Sequence, residues 1–154
     1  MFNGILHLHS GLRWVILLLL LIVIYRSATA GQRPFNNTDQ KFALFTMIAC
    51  DIMLLAGLYL WFFNERGLGY KSIEQSGFSN VMKDPVARFF AIEHSVGMLI
   101  AIIMVHIGKA YTKKNIPDST KHKRVLLFYV LALLIILITI PWPFRAAGAG
   151  RGWF

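Results

Sequence analysis

The sequence predicts an all-α protein, a four-transmembrane-helix antiparallel bundle in a single integral membrane domain covering residues 1–154. Three observations carry this. Four apolar runs are each long enough to cross a hydrocarbon layer of about 30 Å, which takes about 20 helical residues. Of the 154 residues, 56% are hydrophobic and 15% charged, against about a quarter charged in a soluble domain. That much apolar surface cannot be buried inside one small globule, so lipid must cover the remainder. The segments between the runs are short, polar and rich in turn formers, with no internal repeat and no linker to a second domain.

The first span is expected at residues 4–25. Val15–Ile24 followed by Ala28-Thr29-Ala30 has the look of a signal peptide with a cleavage site. Arg26 breaks the run, however, and two histidines with a lone arginine precede it, so it reads as a retained helix. The second span is expected at 41–63. The third, at 85–110, opens with Pro85 as a first-turn proline behind Asp84 as N-cap. The fourth, at 123–140, is stopped by Pro141 and Pro143. Its only polar groups after Val125 are Tyr129 and Thr139, which suggests lipid-exposed scaffold.

Lysines and arginines set the orientation. The first and third loops with their helix ends hold nine: Arg26, Arg33, Lys41, Lys109, Lys113, Lys114, Lys121, Lys123 and Arg124. The other side holds six: Arg66, Lys71, Lys83, Arg88, Arg145 and Arg151. This predicts cytoplasmic first and third loops in a bacterial inner membrane, with both termini periplasmic. Trp14, Trp61, Trp142 and Trp153 then all lie toward the outer interface, where aromatic rings are enriched. The net charge of +9 is gathered beside apolar runs rather than on a base-stacking face, which excludes a nucleic-acid binder. Cys50, the single cysteine, allows no intrachain disulfide or thiolate cluster and reads as a small core residue. The chain has no nucleotide-phosphate loop, no HExxH site and no nucleophile triad signature.

Ionisable residues inside spans are costly and mark function. The first span carries His7, His9 and Arg13, the second Asp51, and the third Arg88, Glu93, His94 and His106. At 1.5 Å per residue, His9 and His94 lie about 8 and 13 Å below the same face. Arg13 and Glu93 come out at similar depth, which makes an ion pair between them available. His7 and His9 are roughly 200° apart around a regular helix, so one ligand can use only one of them. His94 sits among Ala87, Ala91, Gly97 and Ala101, small residues that admit a flat ligand or equally a close-packed helix. One reading makes a first-helix histidine and His94 the axial ligands of a single b-type haem, with Arg13 or Arg145 neutralising its propionates. The other has these histidines merely hydrogen-bonding across helices. Asp51, near mid-membrane with Thr46, Cys50 and Gly57 on about the same side, reads as a proton or quinone contact, or as a neutral acid bonded to a neighbouring helix. A second haem lacks a histidine pair, since only His106 lies in a span toward the inner face and His122 sits in the basic loop beside it.

The stretch Leu8-His9-Ser10-Gly11-Leu12-Arg13-Trp14, the pair Glu93-His94, and the ending Ile140-Pro141-Trp142-Pro143-Phe144-Arg145 followed by Gly152-Trp153-Phe154 resemble a family of small four-helix bacterial membrane proteins that carry the name cytochrome B. The resemblance covers essentially the whole chain. It implies haem b, and points to His9 rather than His7, with His94 opposite. The chain departs from di-haem cytochromes in lacking a clear second histidine pair. The expected function is thus a membrane electron-transfer protein or respiratory-chain subunit with one haem near the outer face, supported by Arg13, Glu93 and Arg145 and working with other membrane subunits. Two alternatives stay open: a cofactor-free accessory subunit of a larger complex, and a small quinone- or proton-handling membrane enzyme using Asp51.

Overall fold

A computed structural model describes residues 1–149 of the chain, and they are all-helical apart from turns. Trp153, Arg151 and the Gly152-Trp153-Phe154 ending lie outside the described residues. Four helices are long and apolar enough to cross a membrane: α1 (Phe2–Ala28), α2 (Asn37–Phe62), α5 (Pro85–Tyr111) and α6 (Asp118–Thr139). They pack as a ring, α1 against α2, α2 against α5, α5 against α6 and α6 against α1. Two short helices, α3 (Tyr70–Ser76) and α4 (Phe78–Lys83), occupy the connection between α2 and α5. That connection reads as a plain loop in the sequence, because helices this short show no usable periodicity. Gly69 and Gly77, with φ of 64° and 78°, bound them, a conformation that glycine adopts without a Cβ clash.

The starts of α2 and α5 are capped by side chains. Asp84 accepts from the Val86 and Ala87 amides at 2.8 and 2.9 Å, and Pro85 fills the first turn as anticipated. α2 starts four residues before its apolar run, at a capping box in which Asn36 and Asp39 accept from each other's amides at 3.1 and 3.0 Å. The Asp39 carboxylate also takes Arg26 at 2.8 Å and Arg33 at 2.6 Å, tying the end of α1 and its loop to the start of α2. The hydrogen bond to Asp39 raises the pKa of Arg33 above its ordinary value. α6 starts five residues before its predicted span. His122 is therefore helical rather than in a loop, buried with its ring 4.8 Å from that of Phe35.

α6 exposes Leu127, Leu131, Leu134 and Ile138 as lipid-facing scaffold would, and it is also core. Val125, Tyr129, Ala132 and Ile136 form a buried stripe at helical spacing, wedged between α1 and α5. The Tyr129 hydroxyl donates to the Ala43 carbonyl across the bundle at 3.0 Å. An added Cβ at Gly97 on α5 would collide with Thr139 on α6. The small residues of α5 thus serve close helix packing there, an interface that membranes favour because backbones can approach.

The bundle is unevenly filled. Its dense core (Ile16, Leu20, Val23, Ala43, Ala101, Val105, Val125, Tyr129) lies toward the ends of the helices joined by the α1–α2 and α5–α6 turns. The half nearer the start of α1 and the end of α6 is hollow.

Candidate functional site

The hollow half is a cavity of about 730 Å³ bounded by all four long helices and by the residue 64–69 turn. α1 contributes the stripe Phe2, Leu6, His9, Arg13 and Ile16, spaced by threes and fours, which is one face of a helix. Facing it are Cys50, Gly57 and Trp61 of α2, and His94, Met98 and Ile102 of α5, while Ile136 and Ile140 close the α6 side. His9 and His94 come together across this space, with ring centres 6.2 Å apart and planes inclined at 56°. The rise per residue puts them about 5 Å apart in depth, a gap that their meeting shows to be bridged. His7 also borders the cavity but is exposed.

The setting of His94 follows from the end of α6. In a helix the Leu137 carbonyl would bond the amide of residue 141 and the Thr139 carbonyl that of residue 143. Both residues are proline and have no N–H. The freed carbonyls are taken by side chains: Leu137 by the Trp142 indole at 2.9 Å, and Thr139 by Nδ1 of His94 at 2.8 Å. A carbonyl only accepts, so Nδ1 of His94 carries the hydrogen, and in the neutral ring Nε2 keeps its lone pair. A backbone carbonyl behind one ring nitrogen is how proteins hold a ligating histidine in one tautomer and orientation.

The approach of α5 to His94 is a π turn, Phe89–Glu93, in which the His94 amide bonds the Phe89 carbonyl five residues back. Such turns recur at functional sites because they re-aim side chains. Here the Ala91 carbonyl is met by the Trp61 indole at 3.0 Å, and that of Phe90 by the Ser95 hydroxyl at 3.2 Å. The turn also aims Glu93 outward. Glu93 does not pair with Arg13. It is exposed and binds Arg88 at 2.7 Å. Arg145 likewise does not line the cavity: its guanidinium caps the Ile138 carbonyl and lies over the Phe89 ring. Arg13 does line it, beside His9, and Arg66 and Asn64 stand at the mouth. Gly57 leaves room next to His9, since a Cβ there would be 3.5 Å from Nε2.

Asp51 departs from the expected arrangement. Thr46 and Cys50 are buried and Gly57 faces the cavity, but Asp51 points to the outside of α2 and reaches Nε2 of His106 at 3.2 Å. His106 is thus turned toward Asp51, while His122 lies buried against Phe35 with neither ring nitrogen hydrogen-bonded.

The residues present can be tested against a cofactor. Among the described residues no group of three or more metal-ligating side chains exists, so a closed tetrahedral site has no basis. Two histidines suffice only where a macrocycle supplies the other donors. The two imidazole centres stand 6.2 Å apart, near enough for both rings to serve one group held between the helices. The cavity lies within the roughly 300–1,000 Å³ of cofactor pockets and is mainly apolar with a few polar groups. Arg13 and Arg66 could meet carboxylates, and the sequence flagged only the first. The residues fit a tetrapyrrole.

Comparison with known proteins gives little beyond membrane character. No family model matches the chain, and no solved structure matches it. The lysine-specific permease LysP of Escherichia coli (strain K12) is 28% identical over 141 residues, which cover 84% of this chain. The chain spans 28% of the permease's length.

Proposed function

We propose that this multi-pass membrane protein is an electron carrier that holds one b-type haem between His9 and His94. The observation that carries the reading is the pair of imidazoles 6.2 Å apart from separate helices, one of them locked by a backbone carbonyl. When bound, the haem supplies one-electron redox chemistry at its iron. The protein's own contributions are specific. Thr139 holds the His94 ring and sets its tautomer. Gly57 keeps the flank of His9 clear. Arg13 and Arg66 neutralise the propionates, and Met98, Ile102 and Ile136 exclude water. With a single site near one face, a bound haem would have to exchange its electron with a quinone or with a partner subunit's centre. The lysine and arginine bias supports a periplasmic position for that face in a bacterial inner membrane.

The likeness to the permease favours a second reading, in which the cavity is the binding site of a transported solute. Visible spectroscopy separates the two. The haem reading requires that purified protein show a Soret band and dithionite-reduced α and β bands, lost in both His94→Ala and His9→Ala. A colourless wild-type protein, still unable to take up added haem, overturns it.

A further inference from the structure

The end of the bundle that carries the α1–α2 and α5–α6 turns is rich in cations and short of acids. Nine lysines and arginines belong to those two turns and the helix ends beside them, against two carboxylates, Asp39 and Asp118. Both carboxylates are engaged. Asp39 holds Arg26 and Arg33, and Asp118 holds Lys121 at 3.2 Å. Lys109 turns inward to the Thr112 hydroxyl. Among the described residues, Lys114 and Arg124 are exposed and have no ion pair.

These two cations nevertheless converge. Nζ of Lys114 lies 4.2 Å from the centre of the Tyr111 ring, and the Arg124 guanidinium lies 5.5 Å from the same centre. Attraction to the ring positions both heads and neutralises neither. The ring is itself fixed, stacked on Phe128 of α6 with planes inclined at 16° and centres 5.7 Å apart. Like charges gathered around one ring without a carboxylate repel each other, so an anion between them is favoured.

Their place in the fold selects the anion. Arg124 stands one helical turn, about 5.4 Å, beyond Phe128 toward the end of the bundle, and Lys114 lies in the turn that follows α5. This is the level at which the spans leave hydrocarbon. From the stacked rings an apolar seam runs toward mid-membrane between α5 and α6. Ile107, Met104 and Ile100 recede from Tyr111 by fours and threes, as Leu131 and Ile135 do from Phe128, so each set shares a helix face with its ring. Ile100 and Leu131 are 42% and 38% exposed. We propose that Lys114 and Arg124, held at the Tyr111 ring, bind the phosphate of an anionic phospholipid whose acyl chain lies in this seam. A lipid with a choline or ethanolamine head would bring a further cation against the pair, whereas a glycerol head brings none. A water-soluble anion would leave the seam unused. The site lies at the dense end of the bundle and does not depend on what the cavity holds.

The test adds phosphatidylglycerol or phosphatidylcholine with identical acyl chains to the full chain in mild detergent, and follows bound lipid by native mass spectrometry. The first phosphatidylglycerol is expected to bind about thirtyfold more tightly, the effect of two basic side chains at a membrane surface. The double variant Lys114→Gln, Arg124→Gln should lose that preference. Lys71→Gln with Lys83→Gln removes as much charge from the other end and should keep it. Equal binding of the two lipids by the wild type overturns the proposal, whether or not the variants fold. Loss of the preference in both double variants also overturns it, because overall charge then accounts for the binding. Millimolar inorganic phosphate at constant ionic strength should leave the lipid in place. Displacement by phosphate identifies a site for a free anion and overturns the lipid as occupant.

Discussion

Nδ1 of His94 donates to the Thr139 carbonyl at 2.8 Å, and that carbonyl is available because the helix ends at Thr139, with Ile140 extended ahead of Pro141. Replacing both Pro141 and Pro143 by alanine lets α6 run on, so that its own amides compete for the carbonyl and the imidazole can turn. The double variant Pro141→Ala, Pro143→Ala is expected to weaken haem retention about 10- to 100-fold, as for other groups that orient a ligating histidine. Haem titration followed at the Soret band measures it.

Gly57 borders His9 with nothing larger than hydrogen. Gly57→Val places methyl groups beside Nε2. The variant should fold with unchanged helical circular dichroism and fail to bind haem, as judged by the ratio of Soret to protein absorbance.

Gly97 packs directly against Thr139. Gly97→Leu forces α5 and α6 apart and should cost about 1–3 kcal/mol, the usual penalty of overpacking, read as a lower unfolding midpoint in detergent. Because Thr139 also holds His94, a loss of haem should accompany it.

Asp39 is nearly inaccessible, its side chain 4% exposed, and it joins Arg26 to Arg33. Asp39→Ala leaves two arginines crowded without their acceptor and removes half of the α2 cap. A loss of about 2–4 kcal/mol is expected, toward the low side of a buried pair because both arginines reach solvent. Chemical denaturation in mild detergent measures it.

Glu93 and Arg88 form a half-exposed pair turned away from the cavity. Glu93→Gln should shift stability by about 0–1 kcal/mol and leave any haem spectrum untouched. A spectral change would place Glu93 in the site after all.

The spans, the Asp84 cap and the opposition of a first-helix histidine to His94 were legible in the sequence, because hydropathy and a fixed rise per residue determine depth; the choice of His9 over His7 came only from the resemblance. Rotation about the helix axis was not. A single π turn re-aims Glu93, and no residue pattern announced it. The ending Ile140-Pro141-Trp142-Pro143-Phe144-Arg145 was visible as a motif, yet its work lies in the carbonyls it releases, which only the fold connects to His94. Arg145 looked like a propionate partner by charge and proved to be a helix cap by position. Asp51 was singled out for its depth, but the lateral direction of its side chain, and so its approach to His106, depends on the rotational phase of the helix, which no residue pattern fixes.

A bundle dense at one end and empty at the other does not resist heat or detergent evenly. The solid end, with Tyr129 bridging to Ala43, should act as an anchor that persists while the other end breathes. Whatever molecule enters the void then completes the fold as well as performing a task, and the rigidity of half the protein becomes a measure of its occupancy.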